Sequence, residues 1–366
     1  MGWTMVSRRW RDFDYVLLVV TLFLIAIGVV MIYSATVNAP ELEELTRRQL
    51  IYAVVGLGLM GLTAVIDYRL LSSLGLVLYC ITLGMLGVVF IVGQVLVGAQ
   101  RWINLGLSIQ PSELAKLLTI IVLAKFLSDH EEDIGRWRYV LMALAILIPP
   151  VVLIYLQPHL SSAIVLTAVG AVMIFVGGIR WLHVTMIGLA GAAAAPVLWF
   201  SLKGYMQKRV LIFINPQGDP AASYNIEQAL TSIGSGGWLG KGFLHGSQSQ
   251  LGFLRVRHAD FIFSVIAEEF GLVGSLLLLL LLFIMLWRLL RIAEMARDDF
   301  GRLIVVGMAT LIFVQSVINI GMNVHLLPVT GIPLPFVSHG GSSLVTLLLG
   351  LGLAQSVAMR HRKIEF

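Results

Sequence analysis

Charge is what this sequence has least of. Only 12% of its 366 residues are Asp, Glu, Lys or Arg, against about 25% in an ordinary soluble domain, which excludes a water-soluble enzyme. Cysteine is almost missing, and the single Cys80 allows neither an internal disulfide nor a thiolate metal site. The low hydrophobicity of a disordered chain is absent as well, because 58% of the residues are hydrophobic. Nor is there the strict apolar–polar alternation of an outer-membrane barrel, or the fixed-period internal repeat that marks many transporters. Twenty-five Lys plus Arg exceed 20 Asp plus Glu, for a formal charge of +5. Their placement carries more information than their sum, and it offers no argument for a nucleic-acid partner.

What the chain does have is long apolar runs. Ten segments, at about 15–36, 49–66, 73–97, 113–127, 138–156, 160–178, 182–202, 261–287, 302–322 and 335–358, are long enough to be membrane helices. Hydrocarbon offers backbone N–H and C=O groups no outside partner, so such runs satisfy themselves by coiling. The expected fold is therefore all-α, a polytopic membrane protein with ten transmembrane helices in a single membrane domain over residues 1–366. The first segment follows Arg8, Arg9 and Arg11 like a signal sequence, but its core is too long and no small-x-small site follows, so it is expected to stay as an uncleaved anchor.

Basic residues near the spans set the expected orientation. With the N-terminus inside, that side receives Arg69, Lys125, Arg136, Arg138, Arg180, Arg288, Arg291, Arg297, Arg302, Arg360, Arg362 and Lys363 as well as the three N-terminal arginines. Both termini are then cytoplasmic. Residues 203–260, rich in Gly, Ser, Gln and aromatics, become one large extracytoplasmic loop between the seventh and eighth helices.

Charged side chains at helix mouths are expensive in a membrane, so each is a functional candidate. Arg101, Glu113 and Lys116 form one group. Glu113 and Lys116 stand three residues apart on one helical face, where they make either a local ion pair or, with the planar fork of Arg101, a cationic site for phosphate. A second group is Arg257, His258 and Asp260, directly ahead of the eighth apolar run. Asp260 is either a helix cap or a catalytic carboxylate whose ionisation its basic neighbours tune. Glu268 lies about 80° round the helix from Asp260 and is the candidate second carboxylate, the alternative being a partner for another helix. The third group, Ser338, His339, Gly340, Gly341 and Ser342, opens the last helix with backbone donors and hydroxyls suited to pyrophosphate or sugar. The histidines show no metal-ligand spacing.

Several ordered blocks then carry a resemblance. They are Ala99-Gln100-Arg101-Trp102-Ile103, Gln110-Pro111-Ser112-Glu113-Leu114-Ala115-Lys116, Ser232-Ile233-Gly234-Ser235-Gly236-Gly237-Trp238-Leu239-Gly240-Lys241-Gly242, Gly246-Ser247-Gln248-Ser249-Gln250-Leu251, His258-Ala259-Asp260-Phe261-Ile262-Phe263, Ala267-Glu268-Glu269-Phe270-Gly271 and Pro333-Leu334-Pro335-Phe336-Val337-Ser338-His339-Gly340-Gly341-Ser342-Ser343. Together they resemble the SEDS family of bacterial peptidoglycan polymerases over essentially the whole chain, with a block at 246–251 closer to the elongation type, RodA, than to the division type, FtsW. The resemblance implies a ten-helix glycosyltransferase of the cytoplasmic (inner) membrane that polymerises lipid II on the outer face during cell elongation. It also implies a class B penicillin-binding protein as cross-linking partner, alongside other elongation-complex membrane proteins.

By the same resemblance Asp260 holds the place of the family's essential aspartate, and Arg101, Glu113 and Lys116 those of its outer-cavity residues. One block departs: Leu254-Arg255-Val256-Arg257-His258-Ala259-Asp260 lacks the family's Leu-Pro-Glu, so no role passes to that glutamate. No cofactor is expected, and a divalent cation, though compatible with pyrophosphate chemistry, has no ligand spacing to support it. The competing expectations are a lipid II flippase and a scaffold that only recruits a cross-linking partner.

Overall fold

The computed structural model describes residues 11–39, 42–92, 94–96, 99–104, 108–202 and 204–361. Helices occupy all ten apolar segments: α1 (Tyr15–Thr36), α2 (Glu43–Val65), α3 (Gly75–Val92), α4 (Pro111–Asp129), α5 (Trp137–Leu156), α6 (Leu160–Val176) and α7 (Trp181–Ser201) precede the large loop. Within the loop lie α8 (Gly204–Ile214) and α9 (Pro220–Gly236), and after it α10 (Ile262–Glu294), α11 (Asp299–Asn323) and α12 (Gly341–Ala358). Six of them, α1, α2, α5, α10, α11 and α12, are long and apolar enough to cross a membrane by themselves. The helix α4 spans 19 residues, so what sets it apart is Glu113, Lys116 and Lys125 along its length. α3, α6 and α7 contribute shorter apolar stretches.

The expectation of a purely helical chain is corrected at one place. The third apolar run does not continue as helix to residue 97. It ends at Val92 and is followed by β1 (Gln94–Leu96), β2 (Ala99–Asn104) and β3 (Ser108–Ile109) in a small antiparallel sheet of order β1-β2-β3, pairing Gln94 with Trp102 and Ile103 with Ile109. The segment is apolar enough to extend a helix by hydropathy. Its Val, Ile and Trp content, punctuated by Gly93, Gly98 and Gly106, favours pleated backbone instead.

The centre of the bundle is α12, 83% buried, beside α11, 67% buried, with α2, α4 and α10 packed around them. α1 is pinned at its start by Asp14, whose Oδ1 accepts from Leu17 N at 2.9 Å and whose Oδ2 takes Arg288 of α10 at 2.7 Å. Gln355 of α12 completes the clamp by donating to Asp14 O at 2.8 Å and accepting from Asp14 N at 2.9 Å. The carboxylate of this one residue joins α1 to α10 with a charge-assisted bond, and its backbone joins both to α12.

α10 is not one helix. At Gly271 the backbone turns to φ 65°, ψ −158°, a conformation open to glycine. The break strips several backbone groups of their helical partners, and the glycine-rich segment after α9 supplies replacements. Lys241 N donates to Glu268 O and Gly242 N to Glu269 O, both at 3.0 Å, while Leu272 N donates to Gly237 O at 2.9 Å and Val273 N to Trp238 O at 3.1 Å. So close an approach leaves no room for a Cβ at Gly240, itself at φ +79°, where one would overlap the Glu269 carbonyl.

Gly240→Ala therefore combines a left-handed backbone with a collision and should lower the melting temperature of the purified protein by the equivalent of about 2 kcal/mol or more. Gly58→Ala, in α2 with nothing near its added methyl, should instead be neutral or gain about 0.5–1 kcal/mol from helix propensity. Equal losses for the two would contradict the stitched break.

Candidate active site

Asp260 sits two residues before α10, at the loop-bearing end of the bundle. It does not cap the helix: the N-cap is Phe261, without a side-chain capping bond. What holds Asp260 is its own carbonyl oxygen, which accepts from Asn319 Nδ2 at 3.1 Å and Asn323 Nδ2 at 3.0 Å, both from α11. Asn323 Oδ1 in turn accepts from Ser264 Oγ at 2.6 Å, and Asn319 also donates to Ile332 O at 2.8 Å. Amides four residues apart on one helix face thus fix both the start of α10 and the chain at 332.

The backbone is held while the carboxylate is left available. Among the described residues no group donates a hydrogen bond to the Asp260 carboxyl, and Oδ2 faces the bare glycine at Gly331, where a Cβ would stand at 3.6 Å. Burial pushes the acid up to about 6, and the opposing pull comes from the charge of Arg209. A carboxyl poised near neutrality with no fixed donor is suited to accept a proton.

The third sequence group packs against this residue. Ser338 Oγ donates to Ala259 O at 2.6 Å and His339 N to His258 O at 2.9 Å, so residues 258–260 and 338–339 run together. The His258 and His339 rings meet edge to face with centroids 5.9 Å apart, and Nδ1 of each is buried without a partner among the described residues. Burial lowers both, with Arg257 adding to the effect on His258, while the charges of His258 and Arg48 help take His339 to about 4. Both imidazoles are neutral at pH 7. Gln49 reaches Ser338 O and Gly340 N at 3.4 Å, and Ser342 Oγ accepts from Gln110 N at 2.9 Å, which joins the start of α12 to that of α4.

The remaining candidates are placed differently. Arg257 is buried and its Nε donates to Ala35 O at 2.5 Å, at the end of α1. Lys116 Nζ and Glu113 Oε1 are 2.8 Å apart, with only 2% and 5% of their side chains exposed. Arg101 falls on β2, and its side chain lies outside the described residues. Glu268 is wholly buried and ties down the loop: it accepts from Lys241 Nζ at 3.0 Å, Gln248 N at 2.8 Å and Ser249 N at 3.1 Å. The adjacent Glu269 is likewise buried and bonded to Ser34 and Gln250. These contacts make Glu268 an anchor for residues 247–249. Among the described residues no three His, Cys, Asp or Glu side chains gather as a metal site requires.

Sequence reasoning missed Arg209, Asn319, Asn323 and His159. The asparagines carried a signal, two amides four apart in an otherwise apolar span. Arg209 lay in a loop where a basic residue is unremarkable in sequence. His159 sits within 3.4 Å of Gln110 and Ser112 at the start of α4, and Ser161 Oγ donates to Thr330 O at 2.6 Å. Arg209 Nη1 donates to that same oxygen at 3.1 Å. The segment through Thr330 and Gly331 therefore links Arg209, the α6 start and Asp260.

A family model described as cell cycle protein, FtsW/RodA/SpoVE, matches residues 15–363. Peptidoglycan glycosyltransferase MrdB of Escherichia coli K12 is 38% identical over 96% of this chain and 94% of its own length. Stage V sporulation protein E of Bacillus subtilis 168 is 38% identical over 95% of this chain and 98% of its own. Among solved structures, one from work on the structural coordination of polymerization and crosslinking by a peptidoglycan synthase complex superposes with TM-score 0.83 at 34% identity, covering 95% of this chain and 98% of that one. The crystal structure of the Thermus thermophilus rod shape determining protein RodA gives TM-score 0.73 at 34% identity, covering 96% and 98%.

The Glu113–Lys116 pair offers a test of its own. Removing one partner strands a buried charge, so Lys116→Met alone should cost about 3–5 kcal/mol in unfolding experiments. The double variant Glu113→Gln with Lys116→Met should recover most of that loss. Additive losses in the double variant would show that the two charges do not depend on each other.

Proposed function

The chain belongs to the FtsW/RodA/SpoVE family of cell cycle proteins, and on that premise we propose that this peptidoglycan glycosyltransferase polymerises lipid II into β-1,4 glycan strands with Asp260 as general base. The observation that carries the reading is the Asp260 carboxyl, anchored through its backbone, unbonded among the described residues and raised to about 6 by burial. A lipid-linked donor brings its own pyrophosphate leaving group at C1, so the protein needs a base for the acceptor and cations for the departing charge. Ionised Asp260 takes the proton from the 4-hydroxyl of the acceptor sugar as that oxygen attacks C1 from the face opposite the pyrophosphate. The α-linkage inverts to β in one step. A positioned base of this kind is worth about 10²–10⁴ in rate.

The neutral imidazoles of His258 and His339 and the donors around Ser338, Gly340 and Ser342 line the neighbouring ground as sugar-binding groups. Neutral rings offer hydrogen bonds without repelling a cation or neutralising the base. Orientation with both termini cytoplasmic, activity at the outer face of the inner membrane and a role in cell elongation complete the reading. So does pairing with a class B penicillin-binding protein, the likeness to a peptidoglycan synthase complex being its support.

Purified protein incubated with labelled lipid II should make long glycan strands, and Asp260→Asn should abolish them while retaining lipid binding. Strand synthesis by Asp260→Asn would end the proposal, and a parent protein that moves lipid II across vesicles but forms no glycosidic bond would favour a flippase. The rate should climb with pH through about 6, since the ionised carboxylate is the active form. Stability runs the other way. The folded-state value lies above the unfolded value of about 4, so the favourable proton is fully held only below that value and is lost as pH rises through about 6. Asp260→Asn should therefore melt above the parent at pH 8, and the gap should shrink as the pH falls toward 4.

A further inference from the structure

Two polar rungs tie α1 to α10. At one end Arg288 reaches Asp14 at 2.7 Å, and at the other Ser34 Oγ donates to the Glu269 carboxylate, to which Gln250 Nε2 donates at 3.3 Å. The rungs join an antiparallel pair, and at 1.5 Å of rise per residue they stand about 30 Å apart along either helix. That separation is the thickness of a bilayer's hydrocarbon core, about 30 Å. Between the rungs neither helix carries a charged residue. The hydroxyls of Thr21 and Ser275 are returned to carbonyls of their own helices, at Leu17 and Gly271. The two rungs therefore mark the limits of the interval that lipid surrounds.

The glycine-rich turn after α9 passes inside that interval. Its bonds from Leu272 N to Gly237 O and from Val273 N to Trp238 O fix it about 6 Å beyond Glu269, toward the Arg288 end. At this level Trp238 is 75% exposed and Leu239 79%, beside Leu272, Val273 and Leu276 of α10, which are exposed as well. Just past Gly240 the character reverses, where Lys241 Nζ donates to Ser247 Oγ at 2.8 Å and Glu268 Oε1 at 3.0 Å. Two large apolar side chains bared next to a lipid-facing helix surface extend that surface. Tryptophan suits the boundary between acyl chains and headgroups. The backbone agrees, because the carbonyls of Gly237 and Trp238 are both occupied by the broken helix, as hydrocarbon demands.

We propose that Trp238 and Leu239 insert into the acyl chains of the leaflet on the loop-bearing side, which makes the turn at 237–240 a membrane anchor for the large loop between α7 and α10. The partner is the bilayer itself, its acyl chains against Leu239 and its glycerol region against the Trp238 indole. The stitches at Gly271 then have a second purpose, since they hold the turn below the headgroups while Lys241 stays above it. Anchoring of this kind requires a bilayer and no reaction at Asp260.

Spin labels read the depth directly. The full chain with Cys80→Ser is placed in phosphatidylcholine nanodiscs without other proteins, and a nitroxide is attached at Trp238→Cys or Leu239→Cys. Leu276→Cys on the exposed face of α10 serves as the acyl-level reference and Leu251→Cys, exposed in the loop, as the water-level one. Both turn labels should match Leu276→Cys in oxygen accessibility. A polar nickel chelate is excluded from hydrocarbon, so it should reach them about tenfold less than it reaches Leu251→Cys. Nickel accessibility equal to that of Leu251→Cys would overturn the proposal by placing the turn in water. Low accessibility to both reagents would overturn it too, because protein and not lipid would then cover the turn, whether from this chain or a second copy. A label-free variant gives an independent reading. Trp238→Ser with Leu239→Ser should speed hydrogen exchange of the amides at 237–242 in nanodiscs by about tenfold or more, and Leu251→Ser should leave it unchanged. Equal exchange in the parent and the double variant would show that lipid holds nothing there.

Discussion

A break in a helix leaves backbone groups that need new partners, and this chain meets that constraint at Gly271. Four hydrogen bonds from residues 237–242 replace the ones that α10 gives up. They do more than satisfy the backbone. Once the glycine-rich segment is stitched into the break, Lys241 is delivered to Glu268, Glu268 gathers the amides of Gln248 and Ser249, and the loop acquires a fixed attitude over the bundle. Without partners of this kind each stranded group would cost several kcal/mol, which explains why so long a connection is held close to the membrane domain.

The site that results separates its charges by task. Carboxylates at Glu113, Glu268 and Asp14 are each neutralised by a cation close at hand and belong to the architecture. Asp260 alone among the acids around the site has a cation felt across space and no donor in contact among the described residues. Burial and Arg209 push its affinity for protons in opposite directions, and burial wins. Among the basic residues, Arg257 and Lys116 are likewise taken up by internal partners.

Much of this was legible in the sequence because hydrophobic length is a strong signal. Each of the ten apolar runs holds a helix, and Asp260, His258, Ser338 and His339 were recognisable from their blocks and do lie together. Hydropathy failed at residues 94–96, where apolar composition hides a pleated segment that only the branched and glycine residues betray. Nor does it show that Glu268 gathers four loop partners, Lys241, Ser247, Gln248 and Ser249. Arg209 was hidden for the opposite reason. Its importance comes from Thr330 and Gly331, more than a hundred residues away, and no local pattern encodes that meeting.

The asparagine pair on α11 sets the depth of the site. Because Asn319 and Asn323 grip the main chain of residue 260, its carboxyl takes its height from a helix deep in the bundle. Under the proposed reaction, sugars of any strand length would meet that carboxyl at one level, and the product would slide past a fixed mark with no need to reset the protein after each addition.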